Sequence, residues 1–265
     1  MNRSKLRRLV LTAAALAALF APALVVGQVQ PGVASQPKTT AAAAGPVCAC
    51  LSRHDQQLLV DFGDLARFHD ADLKLGPPAA GVDRVVFMGD SITAHWNLSN
   101  SFPGKPYINR GISGQTTPQM LIRFRQDVIN LKPKVVVILA GTNDIAENTG
   151  PMTQQATEDN LISMVELARA NGIKVVLCSL LPAVDYWWHR GLHPAPKIVA
   201  LNKWLKAYAA RKGYVYVNYY PAMADAAGGL PPNLSKDGVH PSLAGYAVMA
   251  PLVEAGIEKA LQGKE

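Results

Sequence analysis

Short runs of Val, Ile and other apolar residues alternate with helical patterns along most of the chain, and this alternation restricts the possible folds more than any other feature. Runs that are apolar throughout are typical of strands buried on both faces of a sheet. Their alternation with helices predicts parallel pairing, with helices covering both faces. We therefore predict an α/β fold, a three-layer α/β/α sandwich around a five-stranded parallel sheet. The predicted strands are 84–88, 107–109, 134–140, 174–180 and 214–218, and the predicted helices are 58–75, 117–130, 156–171, 196–211 and 242–262.

The first 50 residues differ from the rest in composition. Four basic residues precede an apolar stretch at 9–26, which is typical of a secretory signal peptide over residues 1–27. The alternative is a retained membrane anchor, which Pro22 and the many alanines disfavour. Residues 28–50 are rich in Gln, Pro, Ala, Thr and Gly and are predicted to be a flexible linker. We expect a secreted or periplasmic protein with no stable membrane insertion after cleavage, and one folded domain over residues 51–265.

The charge and the cysteines exclude some functions and leave one question open. The formal net charge is +7, and removal of residues 1–27 leaves +3 with no basic stripe, which argues against nucleic-acid binding. Neither metal-ligand spacing nor a nucleotide-binding glycine motif is present, so we expect no metal and no cofactor. Cys178 could pair with Cys48 or Cys50, or it could be a buried free thiol.

Polar residues follow the predicted strands where each strand ends. Ser91 follows the first strand, Gly111 the second and Asn143 the third, and Asp237 and His240 follow the fifth. Because ligands of parallel α/β sheets bind beyond the carboxyl ends of the strands, we expect these residues to share one edge.

The five residues have the chemistry that a serine nucleophile needs. A serine requires a base within hydrogen-bond reach, a group that orients the base, and donors for the oxyanion. His240 could be the base, with Asp237 three residues before it as the orienting group. The backbone N–H of Ser91, the close approach allowed by Gly111 and the amide of Asn143 could serve the oxyanion. Each piece has a structural alternative, such as Ser91 acting as a helix cap.

Together these segments resemble the SGNH, or GDSL-type, family of serine hydrolases. The matching segments are GDSIT at 89–93, NRGISGQTT at 109–117, GTND at 141–144 and DGVHP at 237–241. Ile92 stands where the family name implies Leu. The resemblance implies a flavodoxin-like sandwich, with Ser91 as nucleophile, His240 as base and acid, and Asp237 as the orienting carboxylate. It also implies an oxyanion hole formed by Ser91, Gly111 and Asn143.

An aromatic loop after the fourth strand suggests where the substrate binds. Tyr186, Trp187 and Trp188 follow one another in the segment 185–196. They could form a wall that stacks on an acyl or sugar group, or they could pack as a hinge held by the prolines of the segment.

The expected function is that of a secreted serine esterase acting on short-chain, acetyl-type esters of carbohydrates or other small alcohols. One alternative is a lysophospholipase-like acylhydrolase. Another is a protein of the same fold that binds glycans or transfers acyl groups without hydrolysis. The absence of a long apolar lid in the sequence favours short acyl groups.

Overall fold

The computed structural model of the protein describes residues 51–263, which lie within one compact unit. The predicted signal peptide, the predicted linker, Cys48 and Cys50 lie outside the described residues. The strands are β1 (Val85–Gly89), β2 (Tyr107–Gly111), β3 (Val135–Leu139), β4 (Lys174–Cys178) and β5 (Val215–Val217). The helices are α1 (Arg53–Val60), α2 (Ala66–Leu75), α3 (Ser91–Ala94), α4 (Leu98–Ser101), α5 (Thr117–Asp127), α6 (Thr142–Ile145), α7 (Gln154–Ala170), α8 (Pro194–Lys212), α9 (Tyr220–Met223) and α10 (Leu243–Gln262), with a 3₁₀ turn at Ile129–Leu131.

The five strands form one parallel sheet in the order β2-β1-β3-β4-β5. The predicted fold class is therefore confirmed. Alternate residues of each strand enter different cores, since successive side chains point to opposite faces. Val86 and Met88 pack into the core on the side of α5, α7 and α8, whereas Val85 and Phe87 pack into the core on the side of α10.

The amino-terminal helix differs from the prediction. The expected single helix at 58–75 is two helices, α1 and α2, separated by a turn in which Asp64 has φ 52°. A β-carbon added to Gly63 would lie 2.9 Å from Cγ2 of Ile122 on α5, so the turn packs closely against that helix. Leu59 and Leu73 remain largely exposed, because the break prevents one continuous apolar face from packing on the domain.

Cys178 lies at the end of β4 and is a buried free thiol. Burial raises the pKa of the Cys178 thiol to about 12, which makes it unreactive at neutral pH.

Across residues 51–263, none of the helices has both the length and the apolar character needed to cross a lipid bilayer.

We predict that Gly256→Ala destabilises the domain by about 1–3 kcal/mol, because the added methyl group overpacks the core. The β-carbon would lie 2.4 Å from Cγ2 of Val217, where α10 covers β5. Gly263→Ala is the control, since its nearest neighbours would be backbone oxygens at 3.5 and 3.6 Å. Urea unfolding of both variants measures the difference, and equal stabilities would contradict the prediction.

Candidate active site

Ser91 lies at the carboxyl edge of the sheet, where β1 ends and α3 begins. The hypothesis that Ser91 is a helix cap is wrong, because Asp90 occupies the N-cap and its Oδ1 accepts from the Ile92 N–H at 2.9 Å. The Ser91 hydroxyl is therefore available for other contacts. Its backbone N–H is at the first residue of a helix, where such groups lack an intrahelical acceptor.

His240 and Asp237 meet Ser91 from a loop on the other side of the edge. His240 Nε2 lies 2.9 Å from Ser91 Oγ, and His240 Nδ1 lies 2.6 Å from Asp237 Oδ2. The second carboxylate oxygen, Oδ1, accepts from the backbone N–H groups of Val239 and His240 and from the hydroxyl of Ser235. The loop thus fixes the carboxylate and leaves Oδ2 for the imidazole, so the structure brings together the serine, histidine and aspartate predicted from the sequence.

The ionisation of Asp237 suits this arrangement. Partial burial alone would raise the pKa of Asp237, but hydrogen bonds from the His240 ring and from two backbone N–H groups outweigh it and lower the pKa well below its usual range. A carboxylate that stays charged holds the proton of the imidazole on Nδ1, which leaves Nε2 to accept from the serine.

Asn143 is held in one orientation by a chain of hydrogen bonds. The indole N–H of Trp188, which can only donate, lies 2.9 Å from Asn148 Oδ1. The Asn148 amide therefore faces Asn143 with its NH₂ group and donates to Asn143 Oδ1 at 2.9 Å. Asn143 Nδ2 then donates one hydrogen to the carbonyl of Gln115 at 3.0 Å. Its second hydrogen has no acceptor among residues 51–263.

Gly111 does not have the role predicted for it in the oxyanion hole. Its N–H donates to Asn109 Oδ1 at 2.8 Å, so that donor is already used. The glycine is required instead for packing, since a β-carbon there would lie 2.2 Å from the backbone nitrogen of Ala94 in α3. The prediction that Gly111 supplies an oxyanion donor is therefore wrong.

Gly114, three residues later, lies beside Asn143 and was missed in the sequence. Its carbonyl accepts from Asn148 Nδ2 at 3.1 Å, and it has φ 80°. Its own N–H donates to no group in residues 51–263. The second glycine of the GISG segment was the available signal, because a left-handed backbone favours glycine.

Asp144 holds this loop and was also missed. Its carboxylate accepts from the N–H and the hydroxyl of Thr117 and from the hydroxyl of Thr157. These bonds join the start of α5 to α6 next to Asn143. Burial raises the pKa of the Asp144 carboxyl even against these hydrogen bonds.

The three aromatic residues have different positions. Tyr186 is fully buried and stacks under Trp188 at 5.0 Å between ring centroids, so the prediction that it contacts the substrate is wrong. Trp188 is half-buried, and its ring centre lies 6.3 Å from that of His240. Trp187 is 59% exposed and packs edge-on against Trp188.

Within the described part of the chain, no group of three or more His, Cys, Asp or Glu residues could hold a metal ion.

We predict that Asp90→Asn stabilises the domain in a pH-dependent way. Burial raises the pKa of Asp90 to about 7, and its Oδ2 has no hydrogen-bond partner among residues 51–263. The folded state therefore loses stability as pH rises from about 4 to about 7, where the unfolded chain has already released the proton. The gain from Asp90→Asn should be larger at pH 8 than at pH 5 by about 2–3 kcal/mol.

Urea unfolding at both pH values measures this gain. The exposed Asp83→Asn is the control for the loss of one negative charge, and it should show no such pH-dependent gain. A gain for Asp90→Asn that is the same at pH 5 and pH 8 would contradict the prediction.

Comparison with known proteins identifies relatives over most of the domain. The model of the GDSL-like lipase/acylhydrolase family matches residues 87–248. Esterase TesA of Pseudomonas aeruginosa is 30% identical over 180 residues, which cover 62% of this chain and 83% of TesA. The lipoprotein YqeF of Bacillus subtilis is 31% identical over 129 residues, which cover 42% of this chain and 53%, about half, of YqeF.

Among solved structures, a GDSL-like lipase from Bacteroides thetaiotaomicron is 47% identical, with a TM-score of 0.73. The match covers 75% of this chain and 99% of that lipase. With the family model matching more than half of the residues, the chain belongs to the GDSL-like lipase/acylhydrolase family of ester-hydrolysing enzymes.

Proposed function

We propose that the protein hydrolyses short-chain carboxylic esters through an acyl-enzyme on Ser91. The observation that carries this proposal is the continuous contact from Ser91 Oγ to His240 Nε2 at 2.9 Å and from His240 Nδ1 to Asp237 Oδ2 at 2.6 Å. A serine becomes a nucleophile at neutral pH when such a base can remove its proton.

The steps follow from this geometry. Ser91 Oγ attacks the ester carbon while His240 Nε2 takes the serine proton, and the ionised Asp237 stabilises the resulting imidazolium. Collapse of the tetrahedral intermediate breaks the bond to the alcohol oxygen, which receives the proton from His240. Water then attacks the acyl-enzyme with His240 as base, which releases the acid and restores Ser91.

Three donors serve the oxyanion in this mechanism. They are the N–H of Ser91, the N–H of Gly114 and the second hydrogen of Asn143 Nδ2. Asn148 supports the last two, because it donates to the Gly114 carbonyl and to Asn143 Oδ1. Donors fixed before the reaction stabilise the developing charge without reorganisation.

The substrate site lies beside His240. The His240 side chain is 22% exposed. Trp188 and Trp187 form the aromatic side of the substrate site. The exposed ring of Trp187 is available for stacking on a sugar, which supports acetylated carbohydrates or other small alcohol esters as substrates. The basic and apolar pattern of residues 1–27 supports an exported enzyme.

A second candidate, an acylhydrolase for longer chains, is favoured by one observation. Leu243, three residues after His240, is 86% exposed, and Val184, immediately before the aromatic loop, is 50% exposed. Exposed apolar side chains at an ester-hydrolysing edge are suited to an amphiphilic substrate.

We predict that Ser91→Ala lowers kcat for p-nitrophenyl acetate by at least about 10³-fold, since the acyl-enzyme cannot form. Ser99→Ala, at an exposed serine of α4, is the control and should retain wild-type kcat. Circular dichroism checks that both variants fold. Ester turnover by Ser91→Ala at the wild-type rate would exclude the serine mechanism, and inactive wild-type protein that binds glycans would favour the non-hydrolytic alternative.

We also predict that kcat/KM is highest for acyl groups of two to four carbons. In an open site, each added CH₂ gains much less than the ~0.8 kcal/mol of full burial. The measurement is a p-nitrophenyl ester series from two to twelve carbons, and a maximum at eight or more carbons would support the second candidate.

Trp187→Ala should raise KM for acetylated sugars, whereas Val199→Ala, at an exposed position on α8, should not.

A further inference from the structure

Arg123 lies beneath the catalytic edge with its side chain fully buried. It extends from α5 toward the ends of β1 and β2. Its guanidinium donates to four acceptors, which are Asp127 Oδ2 at 2.9 Å, the Gly89 carbonyl at 3.1 Å, the Arg110 carbonyl at 2.8 Å and Gln115 Oε1 at 2.5 Å. The Asp127 carboxylate, one turn along the same helix, supplies the opposite charge.

The other three acceptors belong to the segments that carry the proposed oxyanion donors. Gly89 is two residues before Ser91 on the same strand end. Arg110 begins the segment that leads to Gly114. Gln115 follows Gly114, and its backbone carbonyl accepts from Asn143 Nδ2. One planar group therefore connects the end of β1 to the 110–115 segment from below, and it reaches Asn143 indirectly, through Gln115.

An arginine is suited to this position by its shape. The guanidinium presents five N–H donors in a rigid plane, whereas the lysine ammonium is a point charge on a flexible stem. Gln115 extends the connection, because its Nε2 donates to the carbonyl of Gly63 at 2.9 Å. The loop at 111–117 is thus held from two sides through Gln115.

We propose that Arg123 is a positioning residue that sets the spacing of the oxyanion donors. This role rests on the proposed function, since the donors matter only if Ser91 attacks an ester. Arg123 does not touch the substrate. Its effect passes through the Gly89, Arg110 and Gln115 contacts to the N–H groups of Ser91 and Gly114 and to Asn143.

Arg84 offers a matched control within the same sheet. It is also buried and also donates to two carbonyls, those of Gly76 at 2.8 Å and Leu131 at 2.7 Å. It precedes β1 and therefore lies at the opposite end of the sheet from Ser91. Arg84→Lys removes a buried guanidinium of the same kind without disturbing the catalytic edge.

The experiment compares Arg123→Lys and Arg84→Lys with the wild type, at a temperature where circular dichroism shows each protein folded. We expect Arg123→Lys to lower kcat for p-nitrophenyl acetate about 10- to 100-fold, since a misplacement of about 1 Å costs up to about 10²-fold, with KM changed less than about twofold. Arg84→Lys should lose thermal stability and keep wild-type kcat.

A second readout separates positioning from stability. A trifluoromethyl ketone adds to the serine and forms an adduct that carries an oxyanion, so its affinity depends on the same donors. Its inhibition constant should rise in Arg123→Lys by the same factor as kcat/KM falls, and should not change in Arg84→Lys. If Arg123→Lys does not fold, Gln115→Leu removes one of the four contacts and should show the same pattern with a smaller loss.

The outcomes distinguish the two proposals. Wild-type kcat and inhibitor affinity in folded Arg123→Lys, or in Gln115→Leu, would overturn the positioning role while Ser91→Ala remained inactive. Full activity of Ser91→Ala would instead overturn the proposed function, and the positioning role with it. Equal losses of kcat in Arg84→Lys and Arg123→Lys would assign the effect to general destabilisation and overturn the positioning role.

Discussion

The candidate site depends on the register of three parallel strands. Gly89 at the end of β1 pairs with Gly111 on one side and with Leu139 on the other. The segments that follow these residues therefore leave the sheet at the same level, and this level is where Ser91 and Asn143 lie. Because parallel strands all end at one edge, a fold of this kind collects residues that are far apart in sequence. Ser91 and His240, which are 149 positions apart, meet in this way.

The register brings the strand ends together, and side chains beneath and around the edge then fix the positions of the loops that follow them. Arg123 connects the strand ends, Asp144 connects the loop to α6, and Asn148 orients Asn143. Arg123 and Asp144 are buried and Asn148 is partly buried, and each makes at least three hydrogen bonds to neighbouring groups. Buried polar networks of this kind are costly when incomplete, so they favour one arrangement of the loops over many similar ones.

Much of the fold could be predicted from the sequence, because apolar runs with strand length and helices between them leave few alternatives to a parallel sheet. The grouping of Ser91, Asp237 and His240 followed from the same reasoning. The finer features depended on interactions between distant residues. Gly111 and Gly114 look alike in the sequence, and only the contact with Asn109 separates them. Tyr186 could not be distinguished from Trp187, because burial in a loop has no periodicity. The break between α1 and α2 depends on the left-handed Asp64 and on close packing of Gly63 against Ile122, a contact between residues far apart in the sequence.

The hydrogen bond from Trp188 to Asn148 joins the aromatic loop to the amide of Asn143. The surface loop that carries the exposed Trp187 is therefore linked by hydrogen bonds to the amide that holds the proposed oxyanion donor. Exchange of that loop for another would therefore also change what orients Asn143. Any replacement that lacks a donor for Asn148 also releases the amide behind it, so selectivity and turnover have to evolve together.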